Sequence, residues 1–252
     1  GVFIMNPIIL TQKLISLLSF ISKGTDETKL ANYLCQLLPF TKQSVTANRF
    51  NLLIFGKSPK LMVIGHLDTV PPQPGWSSNP FKSVIKNNRI YGLGAADMKG
   101  SLAAFLSALS KVKNKIDLNK LAVLFYVDEE YDFMGMKKFI GSPFARINPR
   151  LVLSLDGELK VQGGCCGCIE LNLKFIGKSG HSAEPTSGVN AIIQAVKVIN
   201  DLKTNLTDTV NLAYLSGGRK LDGNIIPAQC FMTLEVRPSS KKVDAAWIIK
   251  QI

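Results

Sequence analysis

Four short apolar runs, "NLLIFG", "KLMVIGHL", "KLAVLFYV" and "RLVLSLD", most limit what this chain can fold into. Each is rich in branched side chains and too short for a buried helix. Runs of this kind, without polar alternation, form strands covered on both faces. A stretch with helical spacing, "MKGSLAAFLSALSKV", separates the second run from the third. Strands alternating with helices predict an α/β sheet with helices on its faces. A helix over about 26–38 precedes them, capped by Asp26 or Thr25, with Leu30, Tyr33, Leu34 and Leu37 on one face.

After Gly163 the texture changes. "CIELNLKFIG" alternates polar and apolar residues like a half-exposed strand, "GVNAIIQAVKVINDL" repeats at helical spacing, and "VNLAYLSGG" and "AQCFMTLEVRP" read as two more strands. A helix follows from near Lys241. This β-α-β-β-α order predicts a small α+β open sandwich with both helices on one face of one sheet. Two domains result, 1–163 and 164–252, with Gly163 and Gly164 as the hinge.

The chain has 252 residues, 46% of them hydrophobic, enough for one large or two modest cores. No stretch approaches the ~18 consecutive apolar residues that span a bilayer. The best, "LISLLSFIS", lacks the basic lead and cleavage site of a signal peptide. The expected location is the cytoplasm, without membrane attachment. Met5 reads as a natural start, with Gly1 to Ile4 an upstream extension. The net charge is +12, yet the lysines are scattered and no basic stripe interleaves with aromatics, which argues against nucleic-acid binding. Of five cysteines, Cys165, Cys166 and Cys168 crowd into "GGCCGC". That spacing is not a zinc ribbon, and free thiols are expected.

Chemistry-bearing residues recur at one place in the pattern, at or just past the carboxyl end of an apolar run. They are His66 and Asp68, then Asp97 in "YGLGAADMKG", Glu129 and Glu130 in "FYVDEE", and Asp156 in "LVLSLDGE". In open α/β sheets ligand sites form at that edge. Taken singly, "HLD" is a hydrogen-bonded strand end, "DEE" a solvated turn, and Asp97 a helix cap. Gathered in one cleft, the carboxylates would repel each other unless cations neutralised them. Carboxylates with one imidazole suit a pair of divalent ions such as zinc.

The ordered series "GHLDTVPP", "GWSSNPF", "YGLGAADMKGSLAAFLSAL", "DEE", "LSLDGE", "GKSGHSAEP", "NIIPAQ" and "EVR" resembles the dinuclear metallohydrolases. These include acetylornithine deacetylase, succinyl-diaminopimelate desuccinylase, aminoacylase and the glutamate carboxypeptidases. The likeness covers nearly the whole chain, and "LTQKLISLLSFIS" is similar to the family's first helix.

This resemblance implies a mixed-sheet α/β/α zinc-hydrolase domain with an inserted, ferredoxin-like dimerisation domain, working as a homodimer. It implies hydrolysis of an amide bond in an N-acyl amino acid or short peptide, through a bridging water activated by two zinc ions; cobalt or manganese are alternatives. His66, Asp97, Glu130 and Asp156 would be the ligands, with Asp97 bridging, although Glu158 could replace Asp156. Glu129 would stay off the metals as general base. Asp68, at i+2 from His66 on the same strand face, would accept the imidazole N–H and fix its tautomer. His181 would donate to the oxyanion from the other subunit, and Asn224 and Arg237 would reach the substrate. The plainer readings are that His181 caps a turn and that Arg237 is a solvated cation. A cis peptide is expected at Asp97–Met98.

Three departures qualify the likeness. The family's last ligand, a histidine far downstream, has no counterpart among the two histidines here, so a truncated chain of doubtful activity is expected. Leu93 stands where an arginine is common. Cys165 and Cys166 stand where desuccinylases carry arginines, which argues for a different acyl group or a peptide substrate. A non-catalytic dimeric binding protein retaining the fold is the alternative function.

Overall fold

The computed structural model describes residues 5–157, 165–240 and 242–252. The expected Gly163–Gly164 hinge, the 163/164 boundary, Glu158, Lys241 and residues 1–4 lie outside the described residues. The chain divides into two compact units, Gly1–Leu159 and Lys160–Ile252.

The first unit runs α1 (Pro7–Ser16), α2 (Thr28–Leu37), β1 (Thr41–Ser44), β2 (Phe50–Phe55), β3 (Leu61–His66), β4 (Val84–Lys86), β5 (Arg89–Tyr91), α3 (Gly100–Val112), β6 (Leu121–Tyr126), α4 (Met134–Ile140) and β7 (Leu151–Ser154). Five strands form a mixed sheet in the order β1-β2-β6-β3-β7. The four apolar runs are β2, β3, β6 and β7. The helix expected over 26–38 is α2, and Asp26 Oδ1 accepts the Thr28 N–H at 2.8 Å. The helix expected in "LTQKLISLLSFIS" stops at Ser16. Beyond it the Leu17 N–H turns back to Leu14 O, and Ser19 O accepts the Thr69 N–H, so tertiary bonding replaces further helix.

β6 is buried along its whole length because both faces of the sheet are covered there. On one face Leu52, Val63, Val123 and Phe125 pack with α1, α2 and α3. On the other, Leu53, Met62, Ala122 and Leu124 meet Phe139 of α4. Successive side chains of a strand point to opposite faces, so an unbroken apolar run is what a three-layer arrangement demands. β7 is the exception, an edge strand whose Leu151, Val152 and Leu153 are all exposed. The β4–β5 hairpin was not anticipated. Its turn residues Asn87 and Asn88 have φ of 50° and 59°, the left-handed pair of a two-residue hairpin turn.

The second unit follows the expected order: β8 (Ile169–Ile176), α5 (Ala191–Asn205), β9 (Thr209–Gly217), β10 (Gln229–Arg237) and α6 (Ala245–Ile249). The three strands form an antiparallel sheet with β10 in the centre. Cys230, Met232, Leu234 and Val236 of β10 pack with Ala195, Val198 and Leu202 of α5 and with Ile248 of α6. Asn190 caps α5, accepting the Ile192 and Ile193 N–H groups at 2.9 and 3.2 Å. An Asn190→Ala variant is expected to lose about 1 kcal/mol in urea denaturation of this unit. Among the described residues no helix is long and apolar enough to cross a membrane.

Candidate metal centre

β3 lies between β6 and β7 and runs parallel to both, with Ile64 level with Leu124 and with Ser154. Side chains that follow these strands therefore emerge at one edge. His66 is the last residue of β3 and Asp68 follows it. Glu129 and Glu130 come just past β6, and Asp156 just past β7. Asp97 arrives from the turn before α3, and the side chains of Met98 and Leu102 pack against Gly65. A Cβ at Gly65 would meet Met98 Cε at 2.8 Å and Leu102 Cδ2 at 3.1 Å. The Asp97–Met98 peptide is cis.

Two sets of donor atoms converge within 4.8 Å of one another: His66, Asp97 and Glu130, and His66, Glu129 and Asp156. His66 belongs to both, and its Nε2 lies 2.9 Å from Asp97 Oδ1. Glu129, like Glu130, lies within 4.8 Å of neighbouring donor atoms, so position alone permits it as ligand or as base. His66 Nδ1 is 3.1 Å from the Asp68 carbonyl oxygen and 3.6 Å from the Asp68 carboxylate. The backbone oxygen is thus the ring's nearer partner. The Asp68 carboxylate has a second task, accepting the N–H groups of Glu129 at 3.0 Å and Glu130 at 2.9 Å.

The electrostatics follow from burial and crowding. Burial raises the Glu130 pKa to about 7, with the Asp97 charge adding to it. Glu129 is raised by burial and by Asp156, Asp68 and Asp97, against the opposing pull of His66. Burial disfavours charge on His66, but the adjacent Asp68 and Asp97 carboxylates lift its pKa to about 10. Burial likewise works against the Asp68 carboxylate, and His66 with the Glu130 and Glu129 amides holds its pKa below the usual value. One imidazole and four carboxylates directed at one space fit divalent cations.

In the second unit the structure brings His181 and Asn224 together. The two segments bridge at His181 and Ile225, and the Ser182 N–H donates to Asn224 O at 2.9 Å. His181 is exposed, and its Nδ1 accepts the Ala183 N–H at 3.1 Å. Arg237 sits at the far end of β10, paired with Glu235 at 2.8 Å. Cys165, Cys166 and Cys168 are exposed and unbridged, and among the described residues no thiol joins a cluster of metal donors.

Sequence reasoning missed several buried groups beside the centre. Lys99 is buried, donates to Leu17 O at 2.8 Å, and has its pKa lowered to about 8 by burial. Glu27, Arg49 and Asp128 form a buried ion cluster. Asp128 stood in the "DEE" motif, but nothing in local periodicity links it to Glu27 or Arg49.

The family model described as peptidase family M20/M25/M40 matches residues 62–235. The chain belongs to that family. The M20/M25/M40 match begins within β3 and ends within β10, so it spans all six residues of the centre together with His181 and Asn224. Curated relatives include acetylornithine deacetylases of Buchnera aphidicola (subspecies Schizaphis graminum), 32% identical over 231 residues, and of Edwardsiella ictaluri, 35% identical over 233 residues. The alignments cover 83% and 84% of this chain and 60% of each relative. The chain thus spans about 60% of the length of these curated relatives. Among solved structures, an M20 metallo-carboxypeptidase from Sulfolobus solfataricus aligns with a TM-score of 0.72 at 20% identity, covering 98% of this chain and 74% of that one. A tripeptidase from Staphylococcus aureus aligns at 0.70 and 20%, covering 98% and 70%. At such identity the structures share the M20/M25/M40 fold.

Proposed function

We propose that this protein is a metal-dependent hydrolase of an amide bond in an N-acyl amino acid or short peptide. The observation that carries the reading is the convergence of two donor sets on the shared His66 at the carboxyl edge of β3, β6 and β7. His66, Asp97, Glu130 and Asp156 would hold two zinc ions. Bound there, divalent ions supply an ionised water at neutral pH and polarise the scissile carbonyl.

The chain's own residues do the rest. Glu129 takes the proton from the attacking water and returns it to the leaving amine, a double task suited to a carboxyl whose pKa burial raises above its ordinary value. Asp68 holds Glu129 and Glu130 in place through their amides. His181 would donate to the oxyanion, and Asn224 beside it would contact the substrate. Arg237 would meet a different part of the substrate, separated from that pair by the length of β10. The working form would be a cytoplasmic homodimer of two-domain chains, with the second unit inserted in the first.

The test is metal analysis with a hydrolysis panel on the full-length gene product. Two equivalents of zinc per chain are expected. Cleavage of N-acyl amino acids or short peptides should stop on chelation and return with zinc or cobalt. A protein that takes up no divalent metal sinks the reading. One that binds two ions and cleaves nothing in a broad panel is a binding protein on the same fold.

A further inference from the structure

The segment that carries Glu129 and Glu130 is gripped from two sides. On the inner side is Asp68, whose carboxylate accepts both amides. On the outer side is Asp128, with φ of 70°. Its Oδ2 accepts the N–H groups of Asp132 and Met134 at 3.2 and 3.3 Å, and its Oδ1 receives Arg49 Nη2 at 2.8 Å. Arg49 also forks onto Glu27, at 2.8 and 2.7 Å. Glu27 Oε1 in turn accepts the backbone N–H of Asp128 at 3.1 Å. Side-chain exposure is 1% for Glu27, 5% for Asp128 and 13% for Arg49, so water does little to screen these pairs.

Asn51 of β2 continues the grip at both ends of the segment. It accepts the Val127 N–H at 3.2 Å and donates to Gly135 O at 2.8 Å. A Cβ on Gly135 would meet Asn51 Oδ1 at 2.5 Å, so only glycine lets the segment close against it. Replacing a buried ion cluster with apolar packing is often neutral or stabilising, so stability alone is a poor account of this one. Its connections are more specific. Every carboxylate oxygen of Glu27 and Asp128 bonds either Arg49 or the backbone of residues 128–134. None of the three residues belongs to the converging metal donors.

We infer that Glu27, Arg49 and Asp128 are positioning residues, which fix the backbone from which Glu129 and Glu130 project into the centre. This rests on the hydrolase reading above. Partners one step removed from a metal ligand set its orientation, and their loss costs on the order of 10–100-fold in metal affinity or activity.

Asp128→Asn is the direct test. Its single remaining carboxamide oxygen can serve Arg49 or the two N–H groups, not both. In metal-stripped full-length protein, chelator competition should show zinc affinity lowered about 10–100-fold, with kcat reduced by a similar factor and KM unchanged. Arg49→Lys is the second variant, because an ammonium cannot fork onto Glu27 and also reach Asp128; it should fall between wild type and Asp128→Asn. Lys137→Ala breaks an exposed pair with Asp132 on the same segment and should change neither quantity. If both variants melt earlier yet keep wild-type zinc affinity and kcat, the cluster serves the fold alone and the inference is overturned. If the wild type itself takes up no divalent metal, the hydrolase reading has failed and the inference fails with it. The first failure appears only in the variants, the second already in the parent.

Discussion

Glu129→Gln is expected to lower kcat by roughly 10²–10⁴-fold while leaving two metal ions bound. The amide keeps the size of the carboxyl and loses its capacity to accept and return a proton. The stoichiometry is the informative half of this experiment. Glu129 sits within 4.8 Å of His66 and Asp156 donor atoms, close enough to serve as a ligand itself. A neutral amide oxygen is a poor substitute for a ligating carboxylate. If Glu129 ligates, the variant loses an ion along with its activity. If it is the base, metal analysis is unchanged and only turnover falls. A variant with full turnover would remove Glu129 from both roles.

Arg49→Met is expected to destabilise the protein by about 3–5 kcal/mol, because it strips the cation from two buried carboxylates. Glu27 and Asp128 would remain in place, short of partners and shielded from water. Burial already raises the Glu27 pKa above 4.5 even with Arg49 present, and without the guanidinium it would rise further. A carboxyl whose folded pKa exceeds its unfolded value binds protons more readily when folded, so its penalty shrinks as pH falls through that folded pKa. The gap in urea midpoint between variant and wild type should therefore be widest at neutral pH and narrow on acidification toward 4.5. Lys137→Met supplies the contrast. Its pair with Asp132 is 64% and 72% exposed, and its loss should cost at most about 0.5 kcal/mol. Equal losses from the two substitutions would show that the Arg49 cluster is far better hydrated than its burial implies.

The sheet strands of the first unit were legible where the chain is buried on both faces, because β2, β3 and β6 need unbroken apolar runs. β1, "TKQS", carries no such signal: it is a polar strand that exists through its pairing with β2. The β4–β5 hairpin left a usable mark in the two asparagines between "VIK" and "RIY", although its strands are mostly exposed. α4 is only seven residues long, too few for helical periodicity to declare itself. In the second unit β8 and β10 stood out because a single covered face imposes alternation, and α5 because its buried residues recur at helical spacing.

The sequence alone determined which residues could carry the chemistry. His66, Asp68, Glu129, Glu130 and Asp156 were identifiable because a strand that ends in a charged or imidazole group breaks an apolar pattern at a fixed point. Asp97 follows no strand of that sheet and stands in the turn before α3, so only the likeness of "YGLGAADMKG" to the family pattern marked it. Their assembly depended on tertiary structure. Strand order and parallel direction set β3 between β6 and β7, and the turn before α3 brings Asp97 to 2.9 Å from His66. The partner of each polar group was likewise decided in space. Asp68 bonds the amides of residues 61 and 62 positions away, and Arg49 joins Glu27 to an aspartate 101 positions beyond Glu27. Local sequence specifies backbone preference and burial pattern, whereas a buried charge takes whatever complementary group the completed fold sets within reach.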